Sequence, residues 1–152
     1  MKIFSKYFST LFGIGNIPIA PGTFGSIFAI VIWYIFINFL SIFYFFILFV
    51  LILSISFYIT GIYLEKFKKK DPSEVIIDEF LGQSIPLLFV FNLDVFEVLV
   101  AFVSFRFFDI CKIYPINRAE EIDGSYGVIL DDVIAGIYAL IVLMIYKILI
   151  TL

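Results

Sequence analysis

Two apolar runs stand back to back in this chain, Phe24 to Leu40 and Ser41 to Leu64. Each approaches or exceeds the roughly 20 residues that a helix needs to cross a bilayer. Asn38 and Ser41 mark a reversal between them, so the pair reads as a helical hairpin in a membrane. Composition extends that reading to the whole chain. Of 152 residues, 63% are hydrophobic, 20% aromatic and 15% charged, whereas about 25% of a soluble domain is charged. Lipid, rather than an internal core, must accept most of these side chains. The length suits a single domain over 1–152.

Residues 2–12 place Ile3, Phe4, Tyr7, Phe8, Leu11 and Phe12 on one helical face, opposite Lys2, Ser5, Lys6 and Ser9. That pattern predicts a short N-terminal helix lying in the membrane interface. The Gly- and Pro-rich stretch from Gly13 to Ser26 reads as irregular chain leading into a helix. After Lys66, Lys68, Lys69 and Lys70 comes Asp71-Pro72-Ser73-Glu74, the order of an N-cap, a first-turn proline and a capping acid. It predicts a helix from Pro72 to about Phe91, in which Pro86 leaves the Gly82 carbonyl without its donor. Asn92-Leu93-Asp94 then turns the chain into a helix from Val95 to about Lys112, and Val133 to Leu152 forms the last apolar segment.

The expected fold is therefore all-α: a small integral membrane bundle of four or five membrane segments with an interfacial helix at its N-terminus. If the segments alternate in direction, every Lys and Arg except Lys147 gathers at one end, and such an excess marks the cytoplasmic face. No signal peptide is expected, because Lys2 and Lys6 precede no continuous apolar stretch with a cleavage site. The net charge of −3 is small, and the basic residues form no stripe on which a nucleic acid could lie.

The chain has no histidine and one cysteine, Cys111, so acid–base and metal chemistry falls to carboxylates, lysine, tyrosine and hydroxyls. Four clusters can carry it. Pro21, Gly22, Thr23, Gly25 and Ser26 open a helix and could cradle a phosphate or simply cap the loop. Asp78 and Glu79 are adjacent acids near membrane depth, expensive unless paired or bound to a cation. Acids of a first helical turn, favoured by the dipole, are the plainer alternative, which the Asp71 cap argues against. Arg106, Asp109 and Lys112 follow one side of a helix, as a salt-bridge ladder or as a phosphate grip. Asp131 and Asp132 interrupt an apolar run, again as helix-start acids or as half of a cation site. Carboxylates without histidine or clustered thiolate suit a hard cation, hence Mg2+. Six residues separate Cys111 from Arg118, one too many for a cysteine phosphatase loop, and no D-x-D-x-T sequence occurs.

In this order the clusters resemble the phosphatidylglycerophosphatase A family. Gly13 to Ser26 matches its G-x-G-x-x-P-x-x-P-G-T-x-G-S-like segment, and Asp78, Glu79 and Gly82 its acidic pair followed by glycine. Phe105, Arg106, Asp109, Lys112, Pro115 and Ile116 match its F-R-x-x-D-x-x-K-P-x-P-I-like segment. Gly127, Val128, Asp131, Asp132, Ala135 and Gly136 match its G-x-G-[IV]-x-x-D-D-x-x-A-G-like stretch. Ile113 stands where the family has proline after the lysine, and Ser125 where it has a second glycine. The resemblance implies Mg2+-dependent removal of the terminal phosphate from phosphatidylglycerol phosphate, at the cytoplasmic face of the cell (inner) membrane. It implies Mg2+ on Asp78, Glu79, Asp131 and Asp132, and phosphate on Arg106, Lys112 and the Pro21–Ser26 segment. Asp109 would assist the nucleophile or the metal. The competing class is an ion-binding transporter or non-catalytic membrane protein using the same carboxylates. Against it, the acidic pairs share one end and the far half of the segments reads as apolar.

Overall fold

The computed structural model describes residues 2–39, 41–67, 72–91 and 94–152. All regular structure among them is helical: α1 (Lys2–Ser9), a 3-10 turn (Ile14–Asn16), α2 (Pro21–Phe39), α3 (Ile42–Phe67), α4 (Ile77–Leu87), α5 (Val95–Cys111), α6 (Ile116–Glu120) and α7 (Ser125–Thr151). Helices suit an apolar solvent because each satisfies its own backbone. Three of them are long and apolar enough to cross a membrane, Pro21–Phe39, Ile42–Glu65 and Ser125–Thr151. Only 28%, 17% and 22% of their apolar windows is buried within the chain, which leaves much apolar surface facing outward. At 17 residues α5 rises about 25 Å, and it turns Val95, Phe96, Leu99, Val103, Phe107 and Ile110 outward.

Directions follow from the contacts. The last turn of α5 meets the second turn of α7 through Lys112 and Asp131. Its first turn meets the far end of α7, where Lys147 Nζ lies 2.9 Å from Glu97 Oε2 and also donates to the Phe89 carbonyl. The two helices are therefore antiparallel, and the bundle has two polar ends. Sequence reading left the far half apolar; Glu97 and Lys147 correct that, forming a closed ion pair whose ammonium also sits over the Phe91 ring.

Boundaries moved where packing outweighs local signals. The helix expected from Pro72 starts at Ile77; the Asp71 cap and Lys68, Lys69 and Lys70 lie outside the described residues. Residues 72–76 instead run between α1 and α2. The Ile76 N–H donates to the Ser9 carbonyl at 2.9 Å, and a side chain on Gly15 or Gly25 would collide with the Glu74 or Ile76 carbonyl. These docking contacts replace the first helical turn. Conversely, α2 begins at Pro21, inside the stretch read as irregular, and α7 begins at Ser125 rather than near Val133. The Ser125 hydroxyl donates to the Phe57 carbonyl at 2.7 Å, pinning the start of α7 to α3. The expected cap of α5 is present: Asp94 accepts from the Phe96 and Glu97 N–H groups. Helix α1 turns Ser5 and Ser9 inward, where Ser9 meets Thr60, and exposes Ile3, Phe4 and Tyr7. Its apolar face is therefore the one available to lipid.

The closest helix contact joins α4 and α7. A Cβ on Gly136 would strike the Gly82 carbonyl, and one on Gly82 would meet the Asp132 carbonyl at 2.6 Å and the Phe105 ring. The carbonyl that Pro86 cannot serve thus lies against a glycine. Small residues let helix backbones approach in this way in membranes. Gly136→Val should separate α4 from α7, at a cost of about 1–3 kcal/mol or more. Gly61→Ala, whose new methyl would make only ordinary contact with Ser125, should melt no lower than wild type. Thermal unfolding in detergent checks both; equal melting temperatures for wild type and Gly136→Val would contradict the packing.

Candidate active site

Each acidic pair reaches the same place from a different helix. Asp78 and Glu79 lie in the first turn of α4, with Asp78 buried. The placement that sequence favoured, a second turn, is corrected here, so the dipole of α4 does act on them. Asp131 and Asp132 show the opposite correction: they fall in the second turn of α7, not at its start, and both are buried. Because α4 and α7 touch at Gly82 and Gly136, their acids converge. One oxygen each from Asp78, Glu79 and Asp132 lies within 4.8 Å of the others.

Helix α5 brings the remaining groups. Arg106 Nη1 is 2.6 Å from Asp109 Oδ2, so the expected ladder begins as drawn. Nε and Nη1 are nevertheless buried and make no hydrogen bond among the described residues, so the contact with Asp109 is an ion pair only. The ladder then breaks: Lys112 turns from Asp109 to Asp131 Oδ2 and Glu120 Oε1, both at 2.8 Å. Burial alone would lower the Lys112 pKa. Hydrogen bonds and charges from Asp131 and Glu120 outweigh it and hold the ammonium above the ordinary lysine range, so it stays cationic at neutral pH. The missing side chain of Gly22 makes room for the Glu79 carboxylate and Arg106 Nη1 together.

These groups line one cavity of about 230 Å³ with Ala20, Pro21, Gly22, Ser73, Val75 and Val128. It holds five carboxylates, Asp78, Glu79, Asp109, Asp131 and Asp132, against two cations, Arg106 and Lys112. Glu79 Oε2 is buried there with no hydrogen-bond partner among the described residues. A surplus of buried negative charge, an orphaned carboxylate oxygen and three converging oxygens fit a metal ion with a preference for oxygen ligands. Asp131 is differently engaged, by Lys112.

The Pro21–Ser26 segment divides. Pro21 and Gly22 line the cavity. Thr23, Gly25 and Ser26 do not: the Thr23 and Phe24 N–H groups are spent on the Ala20 carbonyl, the Ser26 hydroxyl on the Gly22 carbonyl, and Gly25 packs against Ile76. Sequence reasoning missed Ser73 and Glu120. Ser73 was assigned to a helical turn, and Glu120 is separated from Lys112 by a break between helices, so no periodicity links them.

A family profile described as Phosphatidylglycerophosphatase A matches residues 7–147. The chain is 40% identical over 140 residues to a Bacteroides thetaiotaomicron protein named "Putative phosphatidylinositol-3-phosphatase", covering 88% of this chain and 87% of that one. It is 36% identical over 132 residues to phosphatidylglycerophosphatase A of Haemophilus influenzae, covering 86% and 81%. Against the Escherichia coli protein of the same name it is 33% identical over 127 residues, covering 83% and 73%. No solved structure matches it. The four motifs, their convergence on one cavity and these matches agree, and the chain belongs to the phosphatidylglycerophosphatase A family.

Proposed function

We propose that this chain hydrolyses the terminal phosphate monoester of phosphatidylglycerol phosphate with the help of Mg2+, at the cytoplasmic face of the cell membrane. The observation that carries the reading is the single cavity in which Asp78, Glu79 and Asp132 face Arg106 and Lys112. Asp78, Glu79 and Asp132 would hold the ion, with Asp131 fixing Lys112 beside them. The chemistry that Mg2+ would supply when held there is Lewis-acid polarisation of the phosphoryl group. Arg106, whose Nε and Nη1 make no hydrogen bond among the described residues, takes phosphate oxygens, and Lys112 adds a second positive charge. Asp109 lies against Arg106 and beside Asp132, where a carboxylate accepts a proton from the attacking water. Pro21 and Gly22 wall the cavity, while the acyl chains stay in the bilayer. The cytoplasmic assignment rests on the exposed Lys6 and Arg118 at the end that carries the site.

The transporter alternative needs a polar path to the opposite end. The ion pair there is closed by Lys147, Glu97 and the Phe89 carbonyl, and does not favour it. The decisive experiment is phosphate release by purified protein in mixed micelles, from phosphatidylglycerol phosphate and, separately, phosphatidylinositol 3-phosphate. Faster turnover of the first, abolished by EDTA and restored by Mg2+, is expected. Full activity in excess chelator, or preference for the inositol lipid, would overturn the respective half of the proposal.

Amide replacement of Asp78, Glu79 or Asp132 should lower turnover by about a hundredfold or more, with protein still recovered from the membrane. Wild-type rates for any two would remove the ion from this site. Cys111→Ser should stay fully active, since Cys111 is exposed and outside the cavity; inactivity of a folded variant would point to thiol chemistry.

Stability separates an ion site from a structural acid cluster. Mg2+ at a hundredfold above Kd should stabilise wild type by about 2.7 kcal/mol. Asp132→Asn removes one of five crowded charges, so in EDTA it should melt at or above the wild-type temperature, and it should gain little from Mg2+. A variant that melts lower in EDTA yet responds fully to Mg2+ would make Asp132 a structural acid.

A further inference from the structure

Lys112 is held in an unusual way for a residue that must receive a substrate. It closes α5 in the left-handed conformation, φ 44° and ψ 49°, a backbone state disfavoured for a residue with a Cβ. Its ammonium has three N–H donors, and two carboxylates already contact it at 2.8 Å, Asp131 and Glu120. These two anions are unequal. The Asp131 side chain is 7% exposed, and its Oδ1 accepts the Asp132 N–H at 3.0 Å. Glu120 is the last residue of the five-residue α6, and its side chain is 49% exposed. Asp131 lines both the active-site cavity and a neighbouring acidic hollow of about 330 Å³; Glu120 lines only the hollow.

A phosphate placed on Lys112 brings more negative charge to an ammonium already shared by two carboxylates. A third N–H donor remains for a phosphate oxygen, but three anions then crowd one cation, and their repulsion favours release of the least anchored. Asp131 is rooted in a buried helix, whereas Glu120 has solvent to move into and loses only a half-exposed ion pair, worth little in water. We infer that Glu120 is a displaceable counter-ion of the phosphate position: it keeps Lys112 neutralised in the free enzyme, yields to the substrate phosphate, and so sets how tightly that position holds an anion. Glu120 is a positioning residue that acts through Lys112, not a group that touches the reacting atoms. The inference deepens the proposed phosphatase reading and rests on it.

Glu120→Gln keeps the shape and one acceptor but removes the charge. Its KM for phosphatidylglycerol phosphate and its inhibition constant for inorganic phosphate should both fall, by about fivefold, the scale of one partly exposed ion pair. Its kcat should stay within about twofold of wild type, because Glu120 is already displaced in both the bound complex and the transition state. Glu120→Asp, which retains the charge but withdraws it by one methylene, should shift both constants in the same direction and provides the test if the amide fails to fold. Unchanged or raised KM and inhibition constants in an active enzyme would overturn the inference and leave the phosphatase reading standing. A fall in kcat and melting temperature without tighter phosphate binding would make Glu120 a strut for α6. Wild-type protein that neither hydrolyses the lipid nor binds inorganic phosphate would overturn both readings.

Discussion

The backbone contact between Gly82 on α4 and Gly136 on α7 governs the rest of the molecule. Lipid offers two apolar helices no hydrophobic reason to associate, so close packing and backbone complementarity must hold them. At this crossing there is no space for a Cβ on either partner. The consequence is chemical as well as structural. Asp78 and Glu79 lie within a turn of Gly82, and Asp132 lies one turn before Gly136, so the crossing sets the distance between carboxylates on different helices. Phe105 fills the remaining gap beside Gly82, and in doing so orients the face of α5 that carries Arg106 and Asp109.

Bringing those acids together opposes folding. Five carboxylates with two cations, in a place where water is scarce, repel one another, and desolvation adds to the cost. The chain offsets part of this internally. Lys112 engages Asp131, Arg106 lies against Asp109, and the first-turn position of Asp78 and Glu79 sets them in the favourable field of the α4 dipole. Among the described residues, Glu79 Oε2 and two nitrogens of Arg106 have no hydrogen-bond partner. Buried polar groups are rarely left so. Here an orphan acceptor and orphan donors share one cavity, the arrangement needed by a site that takes both a cation and an anion.

Much of this was legible in the sequence, and the misses have physical causes. Apolar runs fixed the membrane class because nothing else accommodates them, and Asp94 marked the start of α5 because capping is a local interaction. The four chemical clusters were found because charged residues in an apolar chain are conspicuous. Segment starts were less legible. Asp71-Pro72-Ser73-Glu74 reads as a helix start, yet residues 72–76 satisfy their backbone partly through Ser9 and lie against Gly15 and Gly25, partners distant in sequence. For the same reason Lys112 was assigned to the Asp109 stripe. Its actual partners come from α6 and α7, reached only because α5 ends in a left-handed residue that redirects the side chain.

The two polar ends also set the depth of the site. Asp131 and Lys147 are sixteen positions apart on α7, about 24 Å of helical rise. A bilayer's hydrocarbon core is about 30 Å thick. The spacing of the two polar layers is therefore on the scale of that core. At the far end, Lys147 and Glu97 neutralise each other and close the backbone carbonyl of Phe89, so that layer asks nothing of a ligand. At the near end lies the surplus charge; on the proposed reading, a lipid phosphate reaches it while its acyl chains stay in the bilayer. A deeper site would force the phosphate to shed more water before meeting its ligands; a shallower one would let bulk water screen Arg106 and Lys112. The separation imposed by α7 keeps the carboxylates between those limits.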